Sequence, residues 1–283
     1  MTYPLINPRT KFKVDAFIKN PSHALIISGP VGSGKTKLAD YIAQVALDTQ
    51  DINTYPYLHK INPIDDKLGI EQIRELQSLV KLKIPSNKDI SRILIIGSAD
   101  IMGDEAQNTL LKTLEEPPTD TILILLTTDM NKLLETVRSR AVTIEVKTPT
   151  KGQLVDHFTG KGFDQKQVER AMLLGSNRPG IISEILDEDE SEYEKSIVEA
   201  KNILASSEFN RLIKINELAK DKQVSSEIID SLILIARSAM KSSSNPEQTK
   251  RWHKILKNAD KAKQKMAKNG NTKIILTDLF LNL

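Results

Sequence analysis

A chain of 283 residues is long enough for two or three domains, each with a core of its own. Its formal net charge of +3, with 27% charged residues of mixed sign, permits a nucleic-acid contact without demanding one, and the absence of cysteine excludes disulfides and thiolate metal sites. No apolar run approaches the roughly 18–20 residues that span a membrane, the first ten residues lack a signal peptide's apolar core, and the four scattered histidines suggest no metal cluster, so the expected setting is cytoplasmic, with no membrane partner.

From about residue 22 to 148, short β-branched runs alternate with helical patterns. The first predicted strand is Ala24–Ser28, and the Gly29–Thr36 loop follows it directly, reading Gly-Pro-Val-Gly-Ser-Gly-Lys-Thr. This is a phosphate-binding loop in its proper context, between a buried strand and a helix predicted over Lys35–Leu47. Gly29, Gly32 and Gly34 allow the backbone to curl so that the N–H groups of Pro30's successors Val31, Gly32, Ser33 and Gly34 turn toward a phosphate. The dipole of the following helix favours the bound anion. Lys35 is placed to reach the outer phosphates, and the Thr36 hydroxyl to bind Mg²⁺ when nucleotide is present.

A weaker strand is predicted near Tyr57–Ile61, then a helix over Ile70–Leu82, then a strand over Arg92–Ile96. Hydrolysis of a nucleotide needs a carboxylate for the Mg²⁺ shell and a group to orient and deprotonate water. The end of the Arg92–Ile96 strand supplies Gly97 and Ser98 instead, and loss of a general base alone is worth about 10²–10⁴ in rate. Asp100 arrives three residues late, on the wrong face of an extended strand or beyond the site altogether. The expectation is a chain that holds nucleotide and does not hydrolyse it efficiently.

A helix is predicted over Asp104–Leu114, ended by Glu115-Glu116 running into Pro117-Pro118. A strand over Thr121–Thr127, a helix over Asn131–Arg138 and a strand over Ala141–Val146 complete a parallel sheet covered on both faces. After Thr150 the pattern is helical: a compact segment over 151–187, an acidic stretch from Asp187 to 190, and then helices to the end. Ser206-Ser207 and Ser225-Ser226 look like N-cap pairs, with breaks at 242–246 and 269–271. Between 247 and 268, Lys250, Lys254, Lys257, Lys261, Lys265 and Lys268 recur on one helical face, with Trp252, Ile255, Ala259, Ala262 and Met266 on another. The apolar stripe reads as a packing face. The basic one is a solvated face, or a face that attracts an acidic partner or a backbone-directed DNA contact.

The stretch from Asp100 to Pro118, DIMGDEAQNTLLKTLEEPP, and the downstream TVRSRA of Thr136–Ala141 resemble the AAA+ subunits of bacterial DNA polymerase III clamp loaders. His23-Ala24 before the loop and GIEQIREL over Gly69–Leu76 support the likeness, which is dense from about 22 to 146 and thinner beyond. Within that family the pattern is most similar to the delta-prime type, with a gamma/tau paralogue second. Where members with working ATP sites carry Asp-Glu-Ala-Asp, this chain has Gly97-Ser98-Ala99-Asp100.

The resemblance implies an α/β fold with a P-loop AAA+ RecA-like parallel-sheet domain over 1–148. A helical lid over 149–188 and an all-α collar over 189–283, used for oligomerisation, would follow. It implies ATP or ADP as cofactor, with Mg²⁺ only alongside nucleotide, and no zinc, since the four cysteines of the zinc-binding relatives are absent. Ser139-Arg140-Ala141 stands where relatives carry Ser-Arg-Cys, making Arg140 a finger offered in trans to ATP on a neighbouring subunit. Thr127 would sense the terminal phosphate, and Arg178 of Gly175-Ser176-Asn177-Arg178 would reach nucleotide from the lid. The implied partners are gamma/tau-like and delta-like clamp-loader subunits, the sliding clamp, and primer-template DNA through the complex. Alternatives are an active gamma/tau-like ATPase and a stand-alone DNA-binding switch.

Overall fold

The computed structural model describes all residues except 1, 2, 66, 83, 86–88, 188–191, 244, 268 and 269. The chain forms two compact units, one of residues 1–157 with Arg178–Gly180, the other of Phe158–Asn177 with Ile181–Leu283. The sequence-based domain boundary at 188 falls on residues outside the described set, as does Lys268 of the basic stripe.

The first unit opens with helix α1 (Pro8–Lys19), followed by β1 (Ala24–Ser28), α2 (Lys35–Ala46), β2 (Leu58–Ile61), α3 (Ile70–Val80) and β3 (Arg92–Ile96). Then come α4 (Asp104–Glu115), β4 (Thr121–Thr127), the short α5 (Glu135–Arg138) and β5 (Val142–Glu145). The five strands are parallel, in the order β2-β3-β4-β1-β5. Side chains alternate across the sheet with period two, and both faces are covered. Leu25 and Ile27 of β1, with Ile93, Ile95, Ile122 and Ile124, pack against Val14 and Phe17 of α1 and Leu38 and Ile42 of α2. Ala24 and Ile26, with Leu94, Ile96, Leu123 and Leu125, pack against Ile73 and Leu76 of α3 and Ala106, Leu110 and Leu114 of α4.

Three strands (β1, β3 and β4) begin and end on the residues expected from sequence, because each is an apolar run buried along its whole length. The edge strand β5 is shorter than expected and mostly exposed. Helix α1 was not anticipated, although Asn7 caps it by accepting a hydrogen bond from Arg9 N–H and Pro8 opens it. Its Thr10, 1% exposed, donates to the Glu145 carbonyl and accepts from Lys147 N–H, fastening the helix to β5. The single helix expected over 131–138 is broken into a 3₁₀ turn, Met130–Lys132, and α5. The buried Gln107 causes the break. Its amide donates to the carbonyls of Met102 and Lys132 and accepts from Leu134 N–H, which holds the backbone extended at Leu133 and Leu134.

Helix α6 (Lys151–Thr159) runs from the first unit into the second, which contains α7 (Gln165–Leu174), most of α8 (Pro179–Asp187), α9 (Glu192–Ala205), α10 (Glu208–Leu218), α11 (Lys222–Ser242), α12 (Pro246–Ala267) and α13 (Thr272–Leu281). Its main core joins Ile203, Ile215, Ile229, Leu232, Ala259, Met266, Leu276 and Phe280. Ser207 caps α10 as expected, whereas Ser225 lies inside α11. The cap there is Asp221, whose carboxylate accepts from Gln223 and Val224 N–H, leaving the Ser225 hydroxyl to donate to the Leu218 carbonyl. On α12, Ile255, Ala259, Ala262 and Met266 are buried while Lys250, Lys254, Lys257 and Lys261 are exposed, and Lys265 pairs with Asp278 at 2.7 Å.

Candidate nucleotide site and Arg140

The carboxyl ends of β1, β3 and β4 converge on one edge of the sheet, the usual location of ligands in open parallel sheets. The Gly29–Thr36 loop leaves β1 there. Gly29 N–H donates to the Thr127 carbonyl at 3.1 Å, extending the β1–β4 ladder by one bond, and Ser33 N–H donates to the Pro30 carbonyl to close the turn. Gly34 caps α2 at φ +91°, a conformation that a residue with a Cβ resists. Leu38 N–H is bonded to the Gly34 carbonyl, so the N–H groups of Lys35 and Thr36 belong to the first turn, where a helix has no acceptor of its own to offer. Ser33 is 4% exposed and its buried hydroxyl has no protein partner among the described residues. These features fit a phosphate group.

Lys35 Nζ donates to the carbonyls of Gly29 at 2.7 Å and Pro30 at 2.9 Å. Burial pushes its ammonium below the ordinary lysine range, opposed by the Asp100 carboxylate. Two hydrogen bonds, one from a side chain and one from the backbone, reach carbonyls of the loop from the other end of the unit's sequence. Arg178 Nη1 donates to the Val31 carbonyl at 3.3 Å, and Gly180 N–H donates to the Gly32 carbonyl at 2.8 Å. The expected lid arginine thus lies on the loop's apex, although through a carbonyl and not through the N–H groups that face an anion.

The end of β3 departs from a hydrolytic site in more than residue type. Gly97 N–H donates to the Ile61 carbonyl, and a Cβ built on Gly97 would lie 2.5 Å from Asn62 Oδ1. The side chain of Asn62 therefore occupies the space in which a carboxylate at 97 would begin. Ser98 adopts φ 50°, ψ 47° and turns the chain out of the strand into the 3₁₀ turn Ala99–Ile101. That turn brings Asp100 back toward the site, closer than strand spacing suggested. Its carboxylate accepts from Thr128 N–H at 3.1 Å and Thr128 Oγ1 at 2.6 Å, and its charge is felt at Lys35. Thr127 is fully buried, its hydroxyl donating to the Asp129 carbonyl and accepting from Asp129 N–H. Asn62, and the pairing of Asp100 with Thr128, are what sequence reasoning does not reach. Asn62 follows a weak strand with no motif to mark it, and Asp100 was judged by strand periodicity that stops at Ile96.

Arg140 lies at the opposite edge. It precedes β5, whose Val142 pairs with Leu25 at the start of β1 and whose Glu145 pairs with Ser28 at the end. At about 3.3 Å per residue, those three steps alone put about 10 Å of strand between Val142 and the loop. Arg140 Nη1 donates to the Thr136 carbonyl at 2.9 Å and Nη2 pairs with Glu115 Oε1 at 2.9 Å, with the side chain about one-third exposed.

The family model described as "DNA polymerase III, delta subunit" matches residues 9–150, half of the chain. The chain belongs to the delta-prime-type family of DNA polymerase III clamp-loader subunits. It is 24% identical over 193 residues to subunit delta' of Haemophilus influenzae, covering 62% of this chain and 58% of that one. To subunit delta' of Bacillus subtilis it is 32% identical over 139 residues, 44% of this chain and 41% of the relative. The chain thus spans less than two thirds of either curated relative. Among solved structures, a gamma subunit-related protein of DNA polymerase III from Thermotoga maritima superposes with a TM-score of 0.53 at 16% identity, covering 96% of this chain and 97% of that one. That likeness is one of fold, the α/β AAA+ fold with a helical C-terminal region. Among the described residues no group of three or more histidine, aspartate or glutamate side chains is placed to hold a metal ion, and no helix is long and apolar enough to cross a membrane.

Proposed function

We propose that the chain acts as the delta-prime-like member of a clamp loader. It would hold ATP or ADP, with Mg²⁺ on Thr36, at Gly29–Thr36 without efficient hydrolysis, and offer Arg140 to the ATP of a neighbouring gamma/tau-like subunit. Bound nucleotide would supply the phosphates that Lys35 and the loop N–H groups recognise. The observation that carries the trans role is the placement of Arg140 at the edge of the sheet opposite its own phosphate loop. A planar, always-charged guanidinium there cannot serve the chain's own nucleotide, and suits bidentate stabilisation of charge on a phosphoryl group brought by a neighbour.

The reading of inefficient hydrolysis rests on Gly97 and Ser98, which stand at the end of β3 where a hydrolytic site needs a carboxylate and a base. The remaining elements follow the same reading: a RecA-like domain, a lid and a collar, with delta-like and gamma/tau-like subunits, a sliding clamp and primer-template DNA as partners, in the cytoplasm. A second reading, an active gamma/tau-like ATPase, is favoured by the intact phosphate loop and by 31% identity over 171 residues to subunit tau of Bacillus subtilis. Steady-state ATP turnover by the isolated chain separates the two: the delta-prime reading expects none above background, the gamma/tau reading expects turnover that Lys35→Ala abolishes.

A further inference from the structure

We infer that Glu115 is the positioning residue for Arg140, an inference that rests on the trans-finger reading and deepens it. Glu115 is the last residue of α4, and the chain then meets Pro117-Pro118. A carboxylate at that point faces the negative end of the helix dipole, so the local structure disfavours it. What offsets the placement is Arg140, whose Nη2 lies 2.9 Å from Glu115 Oε1. The second anchor is the Thr136 carbonyl, at 2.9 Å from Nη1.

A guanidinium has five N–H donors, and two such bonds leave the others for an incoming phosphate. The two anchors come from different segments, the end of α4 and the turn of α5, so together they fix the plane of the guanidinium and not merely its position. A long side chain free in solvent loses much rotamer freedom when a neighbouring nucleotide finally fixes it, whereas an arginine already held has lost that freedom beforehand. Glu115 thus prepares the finger for a phosphate that arrives with another subunit.

The test is ATP turnover by the complex reconstituted from this chain, its own gamma/tau-like and delta-like subunits, clamp and primed DNA. The variants are Glu115→Ala, Glu115→Gln, Arg140→Ala and the Glu115→Ala/Arg140→Ala double. Exposed ion pairs couple weakly, so Glu115→Ala should lower kcat about threefold with the KM for ATP unchanged. Glu115→Gln should restore most of the loss, because its amide oxygen can still accept from Nη2. The double variant should be no slower than Arg140→Ala alone. A purely structural Glu115 predicts instead a variant that melts lower than wild type and, while folded, turns over ATP at the wild-type rate. If Arg140→Ala depresses turnover while Glu115→Ala matches or exceeds wild type, the inference about Glu115 is wrong and the finger stands. If Arg140→Ala itself leaves turnover intact, the trans-finger reading falls, and this inference with it.

Discussion

Lys35→Ala separates phosphate recognition from folding. In the protein Lys35 Nζ is hydrogen-bonded to two loop carbonyls, and burial disfavours its charge. Removing the side chain loses those bonds but also removes a partly desolvated ammonium, so the two effects oppose, and the melting temperature without nucleotide should move by only about 2–3 °C, since a net change of about 1 kcal/mol shifts Tm by roughly 2–4 °C at this size. Nucleotide binding has no such compensation. Truncating one side of a desolvated charge pair costs about 2–5 kcal/mol, of which about 2.7 kcal/mol is a hundredfold loss of affinity. At ATP equal to about 100 times the wild-type Kd, binding stabilises the wild type by about 2.7 kcal/mol, a melting shift of roughly 5–11 °C. A variant with a hundredfold weaker Kd gains about 0.4 kcal/mol, or roughly 1–2 °C, at the same concentration. Thermal melting with and without ATP, paired with a direct titration of a fluorescent ATP analogue, measures both numbers. Equal ATP-induced shifts in wild type and Lys35→Ala would refute the assignment of Gly29–Thr36 as the phosphate site.

Because burial lowers the Lys35 pKa, deprotonation removes its cation earlier than in a free lysine, whose pKa is about 10.4. ATP affinity should therefore begin to fall at a lower pH than an ordinary lysine titration gives, and a titration from pH 7 to 10 checks this. Asp100→Asn replaces one acceptor of the paired Thr128 hydrogen bonds by an NH₂ group, at a cost of about 1–3 kcal/mol in urea unfolding. Restoring carboxylates as Gly97→Asp/Ser98→Glu should give less phosphate release with Asn62 present than with Asn62→Ala added, since Asn62 occupies the space a side chain at 97 would enter.

Much of the sheet was legible in the sequence. Strands β1, β3 and β4 are apolar along their whole length because they are buried on both faces, and such runs carry their own boundaries. The phosphate loop was equally legible, since its glycines and lysine are required by local geometry that no distant contact can replace. What was lost lies in tertiary contacts. Gln107 breaks a helix twenty-five residues away by competing for its backbone groups, and no local propensity announces that. Asp100 was placed by extrapolating a strand, whereas the left-handed Ser98 ends the strand and returns the carboxylate to the site. Glu115 read as a helix end, and only the fold brings it against Arg140, twenty-five positions later.

The most direct test of the account compares ATP turnover by the chain alone with turnover by the clamp-loader complex assembled with wild-type or Arg140→Ala chain, in the presence of clamp and primed DNA. The account predicts a silent isolated chain and a complex slowed by about 10³-fold or more at the site that Arg140 faces, the scale on which arginine fingers act. Turnover by the isolated chain, or a complex indifferent to the loss of Arg140, would contradict it.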